Sequence, residues 1–140
     1  MQAYFAVEPE VAGGLGANTS INRATVPAEF TKLHYVFEGW QGDALIESTP
    51  CFLVTEELAV AIRKERLSGV SFDEVEVSTS PEFNDLHLGL HLPNFLWLKI
   101  EGHLAKDDFA LSKLMLVASG RALAVLERYG LAHATVVPFA

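Results

Sequence analysis

The sequence predicts one α+β (mixed α/β) domain: a mostly antiparallel sheet of about six strands, with helices over 55–66 and 119–129 packed on it. Three observations predict it. The stretch 51–77 reads as strand, capped helix, strand. Residues 115–137 repeat that order at an offset of 64, which places Thr55 on Ser119, Phe52-Leu53-Val54 on Leu116-Val117-Ala118, Ile62 on Leu126, Leu67 on Leu131 and Phe72 on Val136. The rest of the chain carries short apolar runs bounded by Gly, Pro, Asn and Asp, the mark of strands joined by turns. A 64-residue spacing is too long for a solenoid, so the two copies predict a pseudo-symmetric core.

Residues 2–8 alternate around Tyr4, Phe5 and Val7 and read as a strand that Pro9 limits. The stretch from Ala12 to Thr19 is a glycine loop by composition. Gly14 and Gly16 could begin a G-x-G-x-x-G phosphate cradle, but Thr19 holds the last glycine position and no helical period follows. Without a helix N-terminus there is no dipole to hold a pyrophosphate. Leu33, Tyr35 and Phe37 share one face of a second strand. In Gly39-Trp40-Gln41-Gly42 two glycines bracket a tryptophan, marking a turn that shows Trp40 to solvent or folds it back as a lid. A short strand over Leu45–Glu47 is closed off by Thr49-Pro50.

Cys51-Phe52-Leu53-Val54 is short and apolar enough to be a buried strand. Thr55 is a good N-cap, Glu56 and Glu57 suit the positive end of a helix dipole, and Arg63, Lys64 and Arg66 suit its negative end. Leu58, Ala61 and Ile62 supply the buried stripe. Residues 70–77 alternate, with Val75 and Val77 on one face and Glu74 and Glu76 on the other, a half-exposed strand with an acidic outer face. Residues 78–94 read as a surface connection, Phe95 to Glu101 as a central strand ended by Gly102, and 106–109 as a turn. The second copy closes the chain. Its strand over 114–118 leads to a Ser119 cap and a stripe of Ala122, Leu123, Val125, Leu126 and Tyr129; Gly130 sits at the C-cap and a last strand covers 134–137.

The 140 residues are half hydrophobic and one fifth charged, enough for one core. Eighteen acidic residues against ten basic ones give a net charge of −8, which argues against nucleic acid as a partner, since phosphate neutralisation needs clustered Lys and Arg. A single cysteine excludes an internal disulfide framework. No stretch reads as a membrane span and the N-terminus lacks the marks of a signal peptide, so no membrane partner and a cytoplasmic address are expected.

Chemistry-bearing patterns are few. His87 and His91 have the i, i+4 spacing of zinc ligands, with His103 and Asp107 or Asp108 as further donors. Gly89 lies between the first two, however, Pro93 follows, and no H-E-x-x-H frame is present. Ser119 stands between strand and helix, where hydrolase nucleophiles sit, but Val117-Ala118-Ser119-Gly120-Arg121 is no G-x-S-x-G elbow and capping explains the serine. Cys51 reads as a core thiol. No catalytic residue and no cofactor is expected.

The runs Val7-Glu8-Pro9-Glu10-Val11-Ala12-Gly13-Gly14-Leu15-Gly16, Phe37-Glu38-Gly39-Trp40-Gln41-Gly42-Asp43, Phe72-Asp73-Glu74-Val75-Glu76-Val77-Ser78 and Leu92-Pro93-Asn94-Phe95-Leu96-Trp97-Leu98-Lys99 stand out along the chain. On these runs the chain resembles a widespread family of uncharacterised bacterial proteins. The chain's later half, an apolar strand running into a Ser-capped helix and a closing strand, is similar to immunity proteins of bacterial polymorphic-toxin systems. That resemblance implies a small acidic inhibitor that blocks a basic toxin domain by binding it. The candidate partner-binding residues are then Trp40, as an aromatic anchor, and Asp43, Asp73, Glu74, Glu76, Glu82 and Asp85, as an acidic surface that steers encounter. The alternative is a small metal-binding or hydrolytic enzyme built on His87, His91 and His103. A homodimer joined through exposed strand edges is a third expectation.

Overall fold

The computed structural model describes residues 3–26 and 28–139. The chain is a mixed α/β fold whose described residues form thirteen strands and three helices. In chain order these are β1 (Tyr4–Glu8), β2 (Gly13–Leu15), β3 (Ser20–Asn22), β4 (Glu29–Lys32), β5 (His34–Phe37), β6 (Leu45–Ser48), β7 (Cys51–Thr55), α1 (Glu56–Lys64), β8 (Val70–Asp73), β9 (Glu76–Thr79), α2 (Pro81–Leu86), β10 (Phe95–Ile100), β11 (Phe109–Ser112), β12 (Met115–Ser119), α3 (Gly120–Tyr129) and β13 (Thr135–Pro138).

Two four-stranded antiparallel sheets organise the molecule, in the orders β6-β7-β10-β8 and β11-β12-β1-β13. They are copies of one unit. The 64-residue offset carries β6 onto β11, β7 onto β12 and α1 onto α3. In each copy the strands before and after the helix flank a central strand, and that strand comes from outside the repeat. The central strand is β10 in the first copy and β1 in the second. Phe95 pairs with Thr55 as Tyr4 pairs with Ser119, so β10 and β1 are also equivalent, at an offset of 91.

The copies join through their helices and through two reciprocal loop contacts. α1 packs against α3, and Phe52, Val54, Leu58, Ile62, Leu98, Leu116, Leu123 and Leu126 share one core. Each helix start is held by the expected cap: Thr55 accepts from the Leu58 N–H at 3.2 Å and Ser119 from the Ala122 N–H at 3.1 Å. In the first reciprocal contact the N–H of Ala44 donates to the Gly130 carbonyl at 2.9 Å. In the second the N–H of Asp108, the equivalent of Ala44, donates to the Ser68 hydroxyl at 3.0 Å. The segment that leads into each hairpin is therefore fastened to the loop after the other copy's helix.

A second core lies on the other face of the first sheet, where Ile46, Cys51, Leu53, Phe95 and Trp97 meet Leu33, Tyr35, Phe37 and Phe83. The sheet β2-β5-β9 and α2 supply this cover. Burial on both faces explains why Cys51–Val54 is a continuous apolar run and not an alternating one.

Several expectations change. The strands are more numerous and more divided than about six. Residues 70–77 break at Glu74-Val75, because β8 pairs with β10 in one sheet while β9 runs parallel to β5 in another. The glycine loop contains β2, and the surface connection contains part of β9 and the third helix, α2, capped by Ser80. β11 was not expected. It joins β12 through a two-residue turn at Lys113 and Leu114 (φ 51° and 67°), a left-handed pair that Asn-Gly would normally announce. Helix α1 ends at Lys64 and not at 66, since Arg66 adopts φ 55°. Thr55 and Ser119 are the caps that the sequence predicts, so the helices themselves begin one residue later than 55 and 119, at Glu56 and Gly120.

Candidate functional site

The acidic residues picked out by sequence divide between surface and interior. Asp73, Glu74, Glu82 and Asp85 are exposed. Asp73 accepts from the Glu74 N–H at 2.8 Å and lies 3.7 Å from Lys99 Nζ. Glu76 sits in a tighter cluster: Asn18 donates to it at 3.0 Å, Lys32 lies at 3.2 Å and the His34 ring at 3.6 Å. The Asn18 hydrogen bond, followed by that from Lys32, holds its carboxyl below the usual range. Asp73, Glu74 and Glu76, with Lys32, line a groove of about 450 Å³ together with Leu33, Val75 and Trp97; Glu82 and Asp85 lie outside it.

Beyond that groove, α2 and the segment after it carry leucines outward. Leu86 is 76% exposed and Leu88 86%, with Leu90 and Val77 also exposed. Glu82 and Asp85 precede these leucines in sequence. Phe83 alone of this helix is buried, edge-on to Phe37 at 6.5 Å.

Trp40 folds back as a lid. Its ring meets Phe95 edge-on at 5.8 Å, and its Nε1–H donates to the Asp43 carbonyl at 2.9 Å. One side of the ring lines an open cleft of about 540 Å³ with Glu56, Glu57, Val60 and Tyr129. Asp43 is only 2% exposed, so it stands apart from the surface acids.

Asp43 belongs instead to a cluster that sequence reasoning missed. Its Oδ2 accepts from the His133 N–H at 2.8 Å, and its Oδ1 lies 3.0 Å from His133 Nδ1. Glu10, 7% exposed, accepts from the Gln41 N–H at 2.6 Å through Oε2 and from the Asp43 N–H at 3.2 Å through Oε1. One donor atom from each of Glu10, Asp43 and His133 falls within 4.8 Å of the others. Gly42 (φ 105°) turns the chain into Asp43, and Gly130 (φ 128°) ends α3 and leads to His133, conformations that L side chains resist. Glu10 is held by the N–H of Glu47 donating to its carbonyl at 2.9 Å. Asp43 and His133 are 90 residues apart and share no local period, so no sequence signal pairs them.

The histidines singled out by sequence do not share a site. The His87 ring packs on Phe83 at 5.0 Å, His91 is exposed, and His103, also exposed, lies 3.6 Å from Asp107. Among the described residues only Glu10, Asp43 and His133 bring three such donors together.

Asp108 lies in a buried network at the other reciprocal contact. The Ser119 hydroxyl donates to Oδ1 at 2.7 Å; the Ser68 N–H at 2.9 Å and Arg121 at 3.1 Å donate to Oδ2. Burial pushes this carboxyl up, but the Ser68, Ser119 and Arg121 contacts outweigh it and leave it below the usual range. Ser119 is thus fully engaged as cap and donor. Burial pushes the Cys51 thiol up to about 12, the behaviour of an inert core cysteine.

No protein-family model matches the chain, and no curated protein or solved structure matches it either. No helix of the described residues is long and apolar enough to cross a membrane.

Proposed function

We propose that the chain is a protein-binding inhibitor of the immunity-protein type, acting by occlusion of a basic toxin domain. The observation that carries this reading is the pair Leu86 and Leu88, 76% and 86% exposed, on a segment that also carries the exposed acids Glu82 and Asp85. Exposing large apolar side chains is unfavourable by about 1.5–3 kcal/mol each relative to burial. An apolar centre within a charged rim is the composition of a protein interface. The acidic rim steers a basic partner and the leucines supply contact once water is excluded. Trp40 contributes from the separate cleft only if the partner reaches round to α1, so the leucine segment is the primary surface.

The test is capture of a basic partner by the tagged chain, followed by affinity measurements at low and high salt. Leu88→Ser and the double variant Glu82→Lys/Asp85→Lys are compared with wild type. The expected result is a loss of tenfold or more for each, with a flatter salt dependence for the charge variant. Unchanged affinity in both would overturn this surface.

A further inference from the structure

We infer that Glu10, Asp43 and His133 form a binding site for one divalent transition-metal cation, which fastens the two copies of the fold together. This is separate from the partner surface above, which none of the three residues enters.

The donor set comes first. Two carboxylates and an imidazole offer oxygen and nitrogen ligands, the mixture that suits Zn²⁺ or Mn²⁺ and does not suit calcium, which takes oxygens alone. The donor atoms lie within 4.8 Å of one another, a few tenths of an ångström above the roughly 4–4.5 Å that separates opposite ligands of one ion, so a small side-chain adjustment brings them onto one coordination sphere. Glu10 and Asp43 are buried, whereas the His133 side chain is 41% exposed, which gives an entry path and room for water in the remaining positions.

The internal symmetry supplies an independent observation. At the second reciprocal contact the buried carboxylate of Asp108 meets a permanent cation, Arg121, at 3.1 Å. The 64-residue offset carries Asp108 back onto Ala44 and Arg121 back onto Glu57, so the first contact has neither that carboxylate nor its guanidinium, and its own buried carboxylates, Glu10 and Asp43, come from neighbouring positions. Among the described residues no Lys or Arg forms an ion pair with Glu10 or Asp43; His133 alone pairs with Asp43. Two buried carboxylates thus face one imidazole, at the contact whose counterpart carries its own countercharge. Backbone N–H groups satisfy both carboxylates as acceptors, but among the described residues no permanent cation faces them, and a divalent ion would supply positive charge at this buried pair.

The counterpart also shows that the fold does not need these donors to close. Glu10 corresponds to Glu101, which is exposed, and His133 to Gly69. There the loop contact is made without a Glu–Asp–His set, so the set at the first contact is additional to the architecture.

The test uses the full chain, stripped with chelator and titrated with Zn²⁺ and with Mn²⁺ by calorimetry, with thermal unfolding measured on the same samples. The expected result is one ion per chain, a melting temperature raised by the ion, and binding weakened at least tenfold in Glu10→Gln and in His133→Ala. The triple variant His87→Ala/His91→Ala/His103→Ala should bind as wild type does. Circular dichroism of each stripped variant verifies that it is folded. Should His133→Ala fail to fold, Glu10→Gln, which keeps an acceptor for the 41–43 turn, decides the matter. Failure of the stripped wild type to take up either ion, or undiminished binding by a folded Glu10→Gln, would overturn the site.

Discussion

The hydroxyl of Ser119 donates to Asp108 Oδ1 at 2.7 Å and at the same time accepts the Ala122 N–H at 3.1 Å. One buried side chain therefore caps α3 and satisfies a carboxylate that also anchors the Ser68 loop of the other copy. Its equivalent, Thr55, makes the corresponding cap, and no carboxylate stands opposite it, because Ala44 occupies the position that Asp108 holds.

This difference predicts unequal costs. Thr55→Ala should cost about 1 kcal/mol, the usual value of a lost N-cap. Ser119→Ala should cost roughly 2–4 kcal/mol, since it also leaves a buried carboxylate oxygen short of a donor. Denaturant unfolding at neutral pH checks both. Asp108 has a depressed carboxyl pKa, so its contribution is present above the ordinary carboxylate range and is lost as pH falls through the folded value. The gap between the two variants should accordingly narrow in acid. Equal costs at neutral pH would show that Ser119 acts as a cap alone.

Neighbouring glycines should respond in opposite ways. A Cβ on Gly13 would run into the Val36 carbonyl, whereas one on Gly14 meets nothing within 4 Å. Gly13 pairs with Phe37 where β2 joins β5, so Gly13→Ala must shift backbone and should cost roughly 1–3 kcal/mol, with Gly14→Ala within about 0.5 kcal/mol of wild type. Thermal unfolding of the two single variants distinguishes them, and similar melting temperatures would contradict the register.

Glu47 predicts a dependence on pH near neutrality. Burial, followed by the nearby charge of Glu8, raises its carboxyl pKa to about 7. A carboxyl raised in the folded state favours folding while protonated. Its ionisation cost grows as pH rises from the unfolded value, about 4.3, and is fully present above about 7. Glu47 is half-buried and solvent screens part of this, so Glu47→Gln should gain on the order of 1 kcal/mol above that pH and close to nothing at pH 4. Stability measured across that window should rise relative to wild type with increasing pH; a parallel offset would refute the assignment.

The sequence by itself determined the two helices and the existence of a repeat. Caps at Thr55 and Ser119, Glu56 and Glu57 in the first turn, and apolar positions at helical spacing are local, and each acts on backbone within a few residues of itself. The apolar runs at Cys51 and Phe95 likewise announced buried strands. Only the tertiary structure decided which strands pair. β1 enters the second sheet between β12 and β13, more than a hundred residues along the chain, because that position buries Phe5 and Val7 against the shared core. No periodicity in residues 4–8 carries that information. The same holds for Glu10, Asp43 and His133. Each is an ordinary polar residue in its own turn, and they become a cluster only because the pseudo-symmetric docking of the two copies brings the loop after α3 onto the turn before β6. Local hydrogen bonding and side-chain period fix elements, whereas burial on both faces of a sheet fixes partners, and a site made at the junction of partners is legible only once they have met.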